Sequence, residues 1–282
     1  MTGEAVAAAV AVAREFGVSC TDPVVLADGS NVLVHLRPAP IVARVAKLTA
    51  WVRPGVEAWL ARDIALAAHV IERGVAAVRP SVDPPAGPHH RDGQVLAFFE
   101  YVPHDPDPVR EPAEVARALA ELHAALGDFD GDLPAAGPVD DLRNAFDVLE
   151  QERIMPDGVV PVLRVDLEQL AEEIATFPVR VLHGDAHPGN LLWTRSGLVW
   201  NDFEDTWRGP LGWDLACLAK TGYLDGQAAL AAYPSLPPEP ELETCLRLRT
   251  LFGVPWRYIL DARFPGRAPD KKVYLDRWLS SG

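Results

Sequence analysis

Residues 183–190, HGDAHPGN, bring together side chains that can bind metals or accept protons. His183, Asp185, His187 and Asn190 all lie within this short segment. Two histidines four residues apart can hold zinc when they share one face of a helix. An internal glycine and the Pro-Gly pair after the second histidine instead predict a loop, which has no such face. Zinc binding is therefore not expected here, and the carboxylate and amide oxygens become the candidates.

The segments on either side of this loop predict how its side chains are positioned. VRVL at 179–182 is typical of a strand, and LLWTRSGLVWNDF at 191–203 predicts two strands joined by a Ser-Gly turn, the second ending at Asp202. A hairpin returns its far end to its start, so Asp202 should lie near Asn190. Asp185 lies on the same loop. The sequence therefore predicts a cluster of three oxygen-bearing side chains.

Such a cluster is typical of phosphoryl transfer. Attack by a hydroxyl on the γ-phosphate of a nucleotide needs a group that accepts the hydroxyl proton, and Mg²⁺ that bridges the phosphates. Mg²⁺ prefers hard oxygen ligands and keeps several waters, so two protein ligands are enough. One carboxylate as base, with an asparagine and a second carboxylate as ligands, meets this need. A polar turn before a hairpin is the alternative, since turns favour Asp, Asn, Gly and Pro.

The segments HGDAHPGN, LVWNDFED and GWDLA resemble the aminoglycoside phosphotransferase and choline kinase group of small-molecule kinases. The loop is similar to the kinase pattern H-R-D-x-x-x-x-N, with the same spacing from Asp to Asn. The resemblance implies that Asp185 is the catalytic base and that Asn190 and Asp202 hold Mg²⁺. It also implies that His183 braces the loop backbone, and that Asp214 caps a helix start and holds the loop from below.

The resemblance further implies an α+β, protein-kinase-like two-lobe fold, with a small β-rich N-lobe and a larger, mainly helical C-lobe. The local patterns agree, since residues 23–48 predict three short strands and residues 94–102 a buried strand. PHDPDPVREP at 103–112 is rich in proline and predicts a boundary, after which amphipathic helices predominate. We therefore expect a nucleotide-binding lobe at 1–103 that ends in a hinge. A helical lobe at 104–282 would carry the catalytic loop and the acceptor site.

Three N-lobe positions are nucleotide-binding candidates by resemblance. The segment ADGSNVLVHL lies where a phosphate-covering turn is expected, but with its one glycine the residues alone predict an ordinary hairpin turn. Ser30 in this turn is the candidate phosphate contact. FFEYVP resembles the hinge, where the Glu100 carbonyl and the Val102 amide would bind the purine.

The phosphate-binding lysine of kinases has no clear counterpart here. IVARVAKL aligns best with Arg44 at that position, with Lys47 three residues later. Side chains alternate along a strand, so only one of the two should face the cleft. The resemblance favours Arg44, because members of the family often read V-L-R there, and arginine can still bind phosphate bidentately. Its acidic helix partner aligns with Asp63, while Glu57 and a solvated helix face remain alternatives.

Composition narrows the function classes. The 282 residues carry a net charge of −14 and show no basic patch, so nucleic-acid binding is not expected. No stretch approaches the ~18 uncharged apolar residues of a membrane span, and no basic residue precedes the apolar N-terminal run as in a signal peptide. That run predicts an alanine-rich helix from about Thr2.

The isolated Cys20, Cys217 and Cys245 favour a reducing compartment. We expect a cytoplasmic protein without a membrane partner, either a monomer or a homodimer.

The resemblance implies a nucleotide-dependent phosphotransferase that moves the γ-phosphate of ATP or GTP to a hydroxyl of a small molecule. An antibiotic such as an aminoglycoside is one candidate, and a cationic acceptor would need acidic and aromatic contacts. Candidates for these contacts are Asp205, Asp225, Glu241, Glu243, Trp207, Trp256 and Tyr258. The alternative is a non-catalytic, nucleotide-binding kinase relative with a regulatory or scaffolding role. A protein kinase is disfavoured, since no activation segment ending in A-P-E follows Asp202.

Overall fold

The fold is that of a computed structural model, which describes residues 2–280. The chain divides into two compact units. The first unit comprises residues 2–109, 124–129 and 189–205. The second comprises residues 110–123, 130–188 and 206–280. The site loop therefore changes unit between Pro188 and Gly189. The lobe limits expected from the sequence, 1–103 and 104–282, stay a prediction.

An antiparallel sheet forms the centre of the first unit. Its strands are β1 (Cys20–Asp28), β2 (Asn31–Pro38), β3 (Ile41–Ala46), β4 (His89–Arg91) and β5 (Gln94–Glu100). They lie in the order β1-β2-β3-β5-β4. Period-2 alternation explains β2, where Val32, Val34 and Leu36 are fully buried on one face. The three strands predicted within residues 23–48 and the buried strand after residue 93 are confirmed.

Three helices accompany this sheet. They are α1 (Thr2–Glu15), α2 (Leu48–Val52) and α3 (Val56–Glu72). The predicted N-terminal helix is confirmed as α1, which packs Ala5, Ala9 and Val12 against the sheet. Alanine favours helix, and this spacing places small side chains on one face. On α3, Leu60 packs against β5 in a second cluster with Ala97 and Phe99.

A hairpin in the first unit carries two of the predicted site residues. Its strands are β7 (Leu191–Thr194) and β8 (Gly197–Trp200), and Leu191 pairs with Trp200. We expected the second strand to reach Asp202, and this was wrong. Asp202 has a φ of +68°, in the left-handed region, so the extended strand cannot continue through it.

Helices dominate the second unit. They are α4 (Pro112–Leu126), whose last residues belong to the first unit, α5 (Gly137–Gln151), α6 (Val159–Ile174), α7 (Gly212–Ala219), α8 (Gly226–Ala232), α9 (Glu239–Arg263) and α10 (Lys271–Ser280). Two short strands, β6 (Arg180–Leu182) and β9 (Trp207–Gly209), pair antiparallel. The longest helix, α9, packs against α5, α6, α7 and α10.

Helix α5 begins at Gly137 and has Pro138 in its first turn. Proline is tolerated there because the first N–H groups of a helix have no partner within the helix. Within residues 2–280, no helix combines the length and the apolar character needed to cross a bilayer.

Candidate active site

A cavity of about 250 Å³ lies within the first unit. Its walls are largely apolar and come from the sheet, from α3 and from the β7–β8 hairpin. Six of these apolar lining residues are Leu26, Leu33, Val42, Val78, Phe99 and Leu192. Charged side chains line another part of it, namely Arg44, Asp63 and Asp202. An apolar chamber with a few convergent charged groups is the usual form of a small-molecule site.

Arg44 is the central cation of this cavity. It lies in β3 opposite Leu33 and Ala97, and only 6% of its surface is exposed. Its Nη1 forms an ion pair with Asp202 and lies 3.5 Å from Oδ2 of Asp63. Burial by itself would lower the pKa of Arg44, but the surrounding carboxylates raise it above its usual range. The guanidinium therefore stays charged and links helix α3 to the segment that follows β8.

The alternatives to Arg44 and Asp63 lie elsewhere in the unit. Lys47 follows the end of β3, so strand alternation does not orient it, and its Nζ pairs with Asp28 and with the Thr2 hydroxyl at 3.2 Å. Glu57 is exposed and lies 3.2 Å from Nε2 of His90. Asp63 is 1% exposed and accepts a hydrogen bond from the Phe203 amide at 2.9 Å. A solvated-face interpretation of Asp63 is therefore wrong, while its role in nucleotide binding stays a prediction.

Glu204 stands at the position of the glycine in the kinase D-F-G pattern, and it is buried. Its carboxylate accepts hydrogen bonds from the Asn31 side chain at 3.2 and 3.3 Å and lies 3.5 Å from Nη1 of Arg53. Burial raises the pKa of Glu204 to about 8, and neighbouring Asp202 adds to this effect. Arg53 in turn pairs with Asp205. The cluster ties together the start of β2, the end of α2 and the segment after β8.

The hairpin brings the two candidate metal ligands to the same end of the first unit. The Asn201 amide donates to the Asn190 carbonyl at 3.1 Å, so Asp202 follows directly beside Asn190. Asn190 is 8% exposed, whereas the Asp202 side chain is 28% exposed. A left-handed aspartate is tolerated but uncommon, and such backbone conformations concentrate at functional sites. The expected proximity of Asn190 and Asp202 is confirmed.

The donor set at this end suits Mg²⁺ better than a softer metal. One amide oxygen and one carboxylate are hard ligands, and Mg²⁺ completes its shell with water and phosphate oxygens. Within residues 2–280, no group of three or more His, Cys, Asp and Glu side chains could hold a metal ion by itself. Asn190 and Asp202 therefore fit a metal that arrives with a nucleotide, and their ligand role stays a prediction.

The predicted hinge borders the cavity, and so do Ala27 and Leu33 of the segment expected to cover the phosphates, whereas the contact predicted for Ser30 stays a prediction. Glu100 and Val102 both belong to the cavity lining. The chain there is fixed by the Tyr101 amide, which donates to the Pro40 carbonyl at 2.8 Å. Ser30 is exposed in the β1–β2 turn and is outside the set of described lining residues. Its carbonyl accepts the Leu48 amide at 2.8 Å, which anchors the start of α2.

In the second unit, a buried aspartate holds the loop that carries Asp185. The carboxylate of Asp214 accepts the His183 amide at 2.8 Å and the Gly184 amide at 2.9 Å. Its Oδ2 also lies 2.9 Å from Nε2 of His123 on α4. Asp214 thus holds the loop as expected, although it lies inside the first turn of α7 and the residue before that helix is Leu211. Two backbone amides and an imidazole satisfy a carboxylate that is fully buried.

Side chains within the loop complete its arrangement. The Asp185 amide donates to Nδ1 of buried His183 at 3.3 Å, which confirms that His183 braces the backbone. From outside the loop, the Trp213 indole donates to the Gly184 carbonyl at 2.6 Å. The Asp185 side chain is 26% exposed, so it is reachable from solvent while its backbone is fixed.

Both carboxylate oxygens of Asp185 have basic neighbours. Arg249 on α9 donates through Nη2 to Oδ1 at 2.8 Å, and Nε2 of His187 lies 3.2 Å from Oδ2. Burial would raise the pKa of Asp185, but His187 and then Arg249 lower it below its usual range. No sequence motif indicated Arg249. An arginine between the buried Leu248 and Leu251 of an otherwise amphipathic helix is the signal that could have indicated it.

Several acceptor-pocket candidates have structural roles instead. Glu241 is buried and accepts the Gly212 amide at 2.9 Å, which joins α9 to α7. Asp225 caps the N-terminus of α8 by accepting two backbone amides. Asp205 pairs with Arg53, and Trp207 is a buried core residue at 1% exposure. Glu241, Asp225 and Asp205 therefore stabilise elements of the fold, and Trp207 is part of the core.

A family model described as "Phosphotransferase enzyme family" matches residues 10–234, well over half of the chain. The chain belongs to this family. Among curated relatives, this phosphotransferase family member is 30% identical over 176 residues to a homoserine kinase from Rhodospirillum rubrum, covering 59% of this chain and 51% of the relative. It is 26% identical over 236 residues to a homoserine kinase from Rhizobium etli, covering 75% of this chain and 69% of that protein. The chain thus spans about half the length of the first relative.

Solved structures with the same fold align with nearly the whole of this chain. Amicoumacin kinase hAmiN, in complex with AMP-PNP, Ca²⁺ and Ami, matches with a TM-score of 0.70 at 12% identity, covering 96% of this chain and 91% of that one. Choline kinase LicA from Streptococcus pneumoniae matches with a TM-score of 0.66 at 14% identity, covering 96% and 98%. The expected fold class, protein-kinase-like with a small antiparallel-sheet N-lobe and a helical C-lobe, is confirmed. The expected resemblance to this group of kinases is confirmed as well.

Proposed function

We propose that this protein is a small-molecule kinase that moves the γ-phosphate of ATP or GTP to a hydroxyl group of its acceptor. The observation that carries the proposal is the buried Arg44, which contacts Asp63 and Asp202 in an apolar cavity of the first unit. Kinases need a cation for the phosphates, an acid that positions it and a carboxylate that binds metal. Membership of the phosphotransferase family and relatives named as kinases support the same reaction.

In the proposed reaction, the nucleotide occupies the cavity of the first unit. Its purine would lie between the apolar walls, with the Glu100 carbonyl and the Val102 amide at its edge. Arg44 would contact the phosphates, and Asp63 would hold Arg44 in place. Asn190 and Asp202 would hold Mg²⁺, which when bound neutralises negative charge on the phosphates.

Asp185 would act as the base in the second unit. The acceptor hydroxyl would donate its hydrogen bond to an Asp185 oxygen, so that the oxygen lone pair is directed at the γ-phosphorus. Because loop amides are held by Asp214 and by His183, the carboxylate is presented in a fixed position. Fixed geometry is the main catalytic contribution available in phosphoryl transfer, where the protein forms no covalent bond.

The acceptor is a small molecule with a hydroxyl group. The sequence resemblance suggests a cationic antibiotic such as an aminoglycoside, while the curated relatives are named homoserine kinases, which makes homoserine a second candidate. We propose that the enzyme acts in the cytoplasm, where ATP and GTP are available. Whether it acts as a monomer or a homodimer stays a prediction.

The test is transfer of phosphate from γ-labelled ATP or GTP to a panel of hydroxyl compounds. Asp185→Asn should lower turnover by about 10²- to 10⁴-fold, the range attributed to a general base, while it still binds Mg²⁺–nucleotide. Asp202→Ala should lose Mg²⁺-dependent nucleotide binding in calorimetry. Asp147→Asn, at an exposed carboxylate of α5, is the matched control and should retain both properties. Nucleotide binding without any product from the wild-type protein would instead indicate a non-catalytic relative.

A further inference from the structure

Two basic side chains contact the carboxylate of Asp185, the residue proposed as the base. Arg249 lies 2.8 Å from one oxygen of Asp185, and His187 lies 3.2 Å from the other. Each of the three side chains is between 20% and 26% exposed, so solvent and small molecules can reach them. All three belong to the second unit. A bound acceptor hydroxyl must approach Asp185 and therefore comes within reach of both basic groups.

The position of Arg249 is fixed by aromatic rings. Its guanidinium lies 5.6 Å from the ring centroid of Trp213 and 5.5 Å from that of Phe252. Such rings stabilise a guanidinium and limit its motion. A guanidinium carries five N–H donors in a planar fork, and this geometry matches a carboxylate. Arg249 is therefore a preorganised anion-binding group beside the base.

A second arginine contacts the ring beside His187. The His187 ring stacks on Tyr223, with centroids 5.5 Å apart, and Arg110 lies 5.3 Å from the same Tyr223 ring. The contacts made directly on Asp185 are those of Arg249 and His187. A carboxylate on the acceptor would be attracted by the Arg249 charge, whereas a cationic group beside it would be repelled.

We propose that Arg249 binds a carboxylate of the acceptor, so that the acceptor is a hydroxy compound that bears a carboxylate, such as a hydroxy acid or a hydroxy amino acid. This inference rests on the proposed function and names the substrate class of the same site. The acceptor oxygen forms its bond to the γ-phosphorus, and the bond from that phosphorus to the β,γ-bridging oxygen breaks. The hydroxyl proton passes to Asp185, and the nucleoside diphosphate leaves with the bridging electron pair.

The first test compares acceptors that differ only in charge. In the trio 4-hydroxybutyrate, 4-hydroxybutyramide and 4-amino-1-butanol, each compound has one primary hydroxyl, and its far end is anionic, neutral or cationic respectively. Serine, homoserine, glycerate, glucose, choline and kanamycin widen each class. We expect the carboxylate-bearing acceptors to have a kcat/KM about 10- to 100-fold above that of their neutral or cationic counterparts. Neutral or cationic acceptors used as well as the carboxylates, or better, would overturn the inference while the proposed function stands. No product from any class, with either nucleotide, would overturn both.

The second test separates recognition by Arg249 from a merely structural role. With the best carboxylate acceptor, Arg249→Gln should raise KM for the acceptor by about 10- to 100-fold, the factor that a charge-assisted hydrogen bond supplies. The KM for nucleotide should be unchanged, and Arg249→Lys should recover part of the loss. For the uncharged amide of the same acceptor, wild type and Arg249→Gln should have the same KM.

The matched control is Arg247→Gln, on the same helix, since that side chain is 51% exposed and faces Glu173. It should leave both KM values unchanged. If Arg249→Gln instead lowers kcat to the same extent for the acid and for its amide, Arg249 only positions Asp185 and the inference is wrong.

Discussion

At the scale of single residues, Arg44 shows why arginine rather than lysine suits this site. Its Nη1 alone has three carboxylates within 4 Å, those of Asp202, Asp63 and Glu204. A planar guanidinium can direct several N–H groups to different partners, whereas an ammonium is a compact point charge. Asp63 is one methylene shorter than glutamate, and the longer arginine offsets that difference.

Removing the Arg44 charge should affect both stability and nucleotide binding. Arg44→Gln leaves a buried group of carboxylates without its cation, so we expect the free energy of unfolding to fall by about 3 kcal/mol. Affinity for Mg²⁺–nucleotide should fall by about 10- to 100-fold, because a charge-assisted hydrogen bond to phosphate is lost. Denaturant unfolding and calorimetry measure the two effects.

Lys47→Gln is the control for this substitution. Lys47 pairs with Asp28 and is not among the described residues that line the cavity, so the variant should keep its nucleotide affinity even if it loses stability. A larger loss of affinity in Lys47→Gln than in Arg44→Gln would mean that Lys47 contacts the phosphates.

The basic neighbours of Asp185 also predict a pH dependence. Although burial opposes the effect, His187 and Arg249 lower the pKa of Asp185, so the carboxylate stays ionised well below neutral pH. The acid limb of kcat/KM should therefore lie below the ordinary range of a carboxylic acid. Removing the positive charge in Arg249→Gln should raise that pKa and shift the acid limb to higher pH. An unshifted limb would show that another group controls it.

At the scale of elements, the loop that carries Asp185 depends on helices that are distant in the sequence. Asp214 in α7 binds two loop amides, and His123 in α4 contacts the same carboxylate. The Tyr233 hydroxyl, just after α8, lies 2.8 Å from Nδ1 of His123. The loop is thus supported by a chain of buried polar contacts, and each member satisfies the next.

Close packing between α7 and α8 makes a prediction about glycine. A Cβ at Gly226 would overlap the Ala219 carbonyl oxygen and lie 2.8 Å from that of Leu218, and backbone atoms cannot rotate away. Gly226→Ala should lower the free energy of unfolding by about 1–3 kcal/mol in thermal or denaturant unfolding. At Gly222, nothing lies within 4 Å of an added Cβ, so Gly222→Ala should be neutral or slightly stabilising. Equal effects would show that this packing is not tight.

At the scale of the whole molecule, the chain has three cysteines, and all are buried and free. Burial, with Glu241 nearby, raises the pKa of Cys245 to about 12, and burial also raises the pKa of Cys217 well above its usual value. Only the thiolate reacts, so native protein at pH 8 should react with Ellman's reagent very slowly. After unfolding in guanidinium, all three thiols should react. A fast-reacting thiol in the native protein would show local opening.

The sequence by itself determined most strands, the loop at 183–190 and the proximity of Asn190 and Asp202. These depend on local rules, namely period-2 burial, the turn preference of Gly and Pro, and the return of a hairpin to its start. For that reason the loop motif was recognisable without coordinates, and family membership agrees with it.

Only the tertiary structure decided which charged side chains meet. Arg44 and Asp202 are 158 residues apart, and Arg249 and Asp185 are 64 apart, so no local pattern joins them. Lys47 and Glu57 had equally suitable side chains, but the end of β3 and the exposed position of Glu57 on α3 direct them elsewhere. Which partner a charge finds depends on helix and strand packing, because desolvation makes a buried charge costly unless the fold supplies its counterpart.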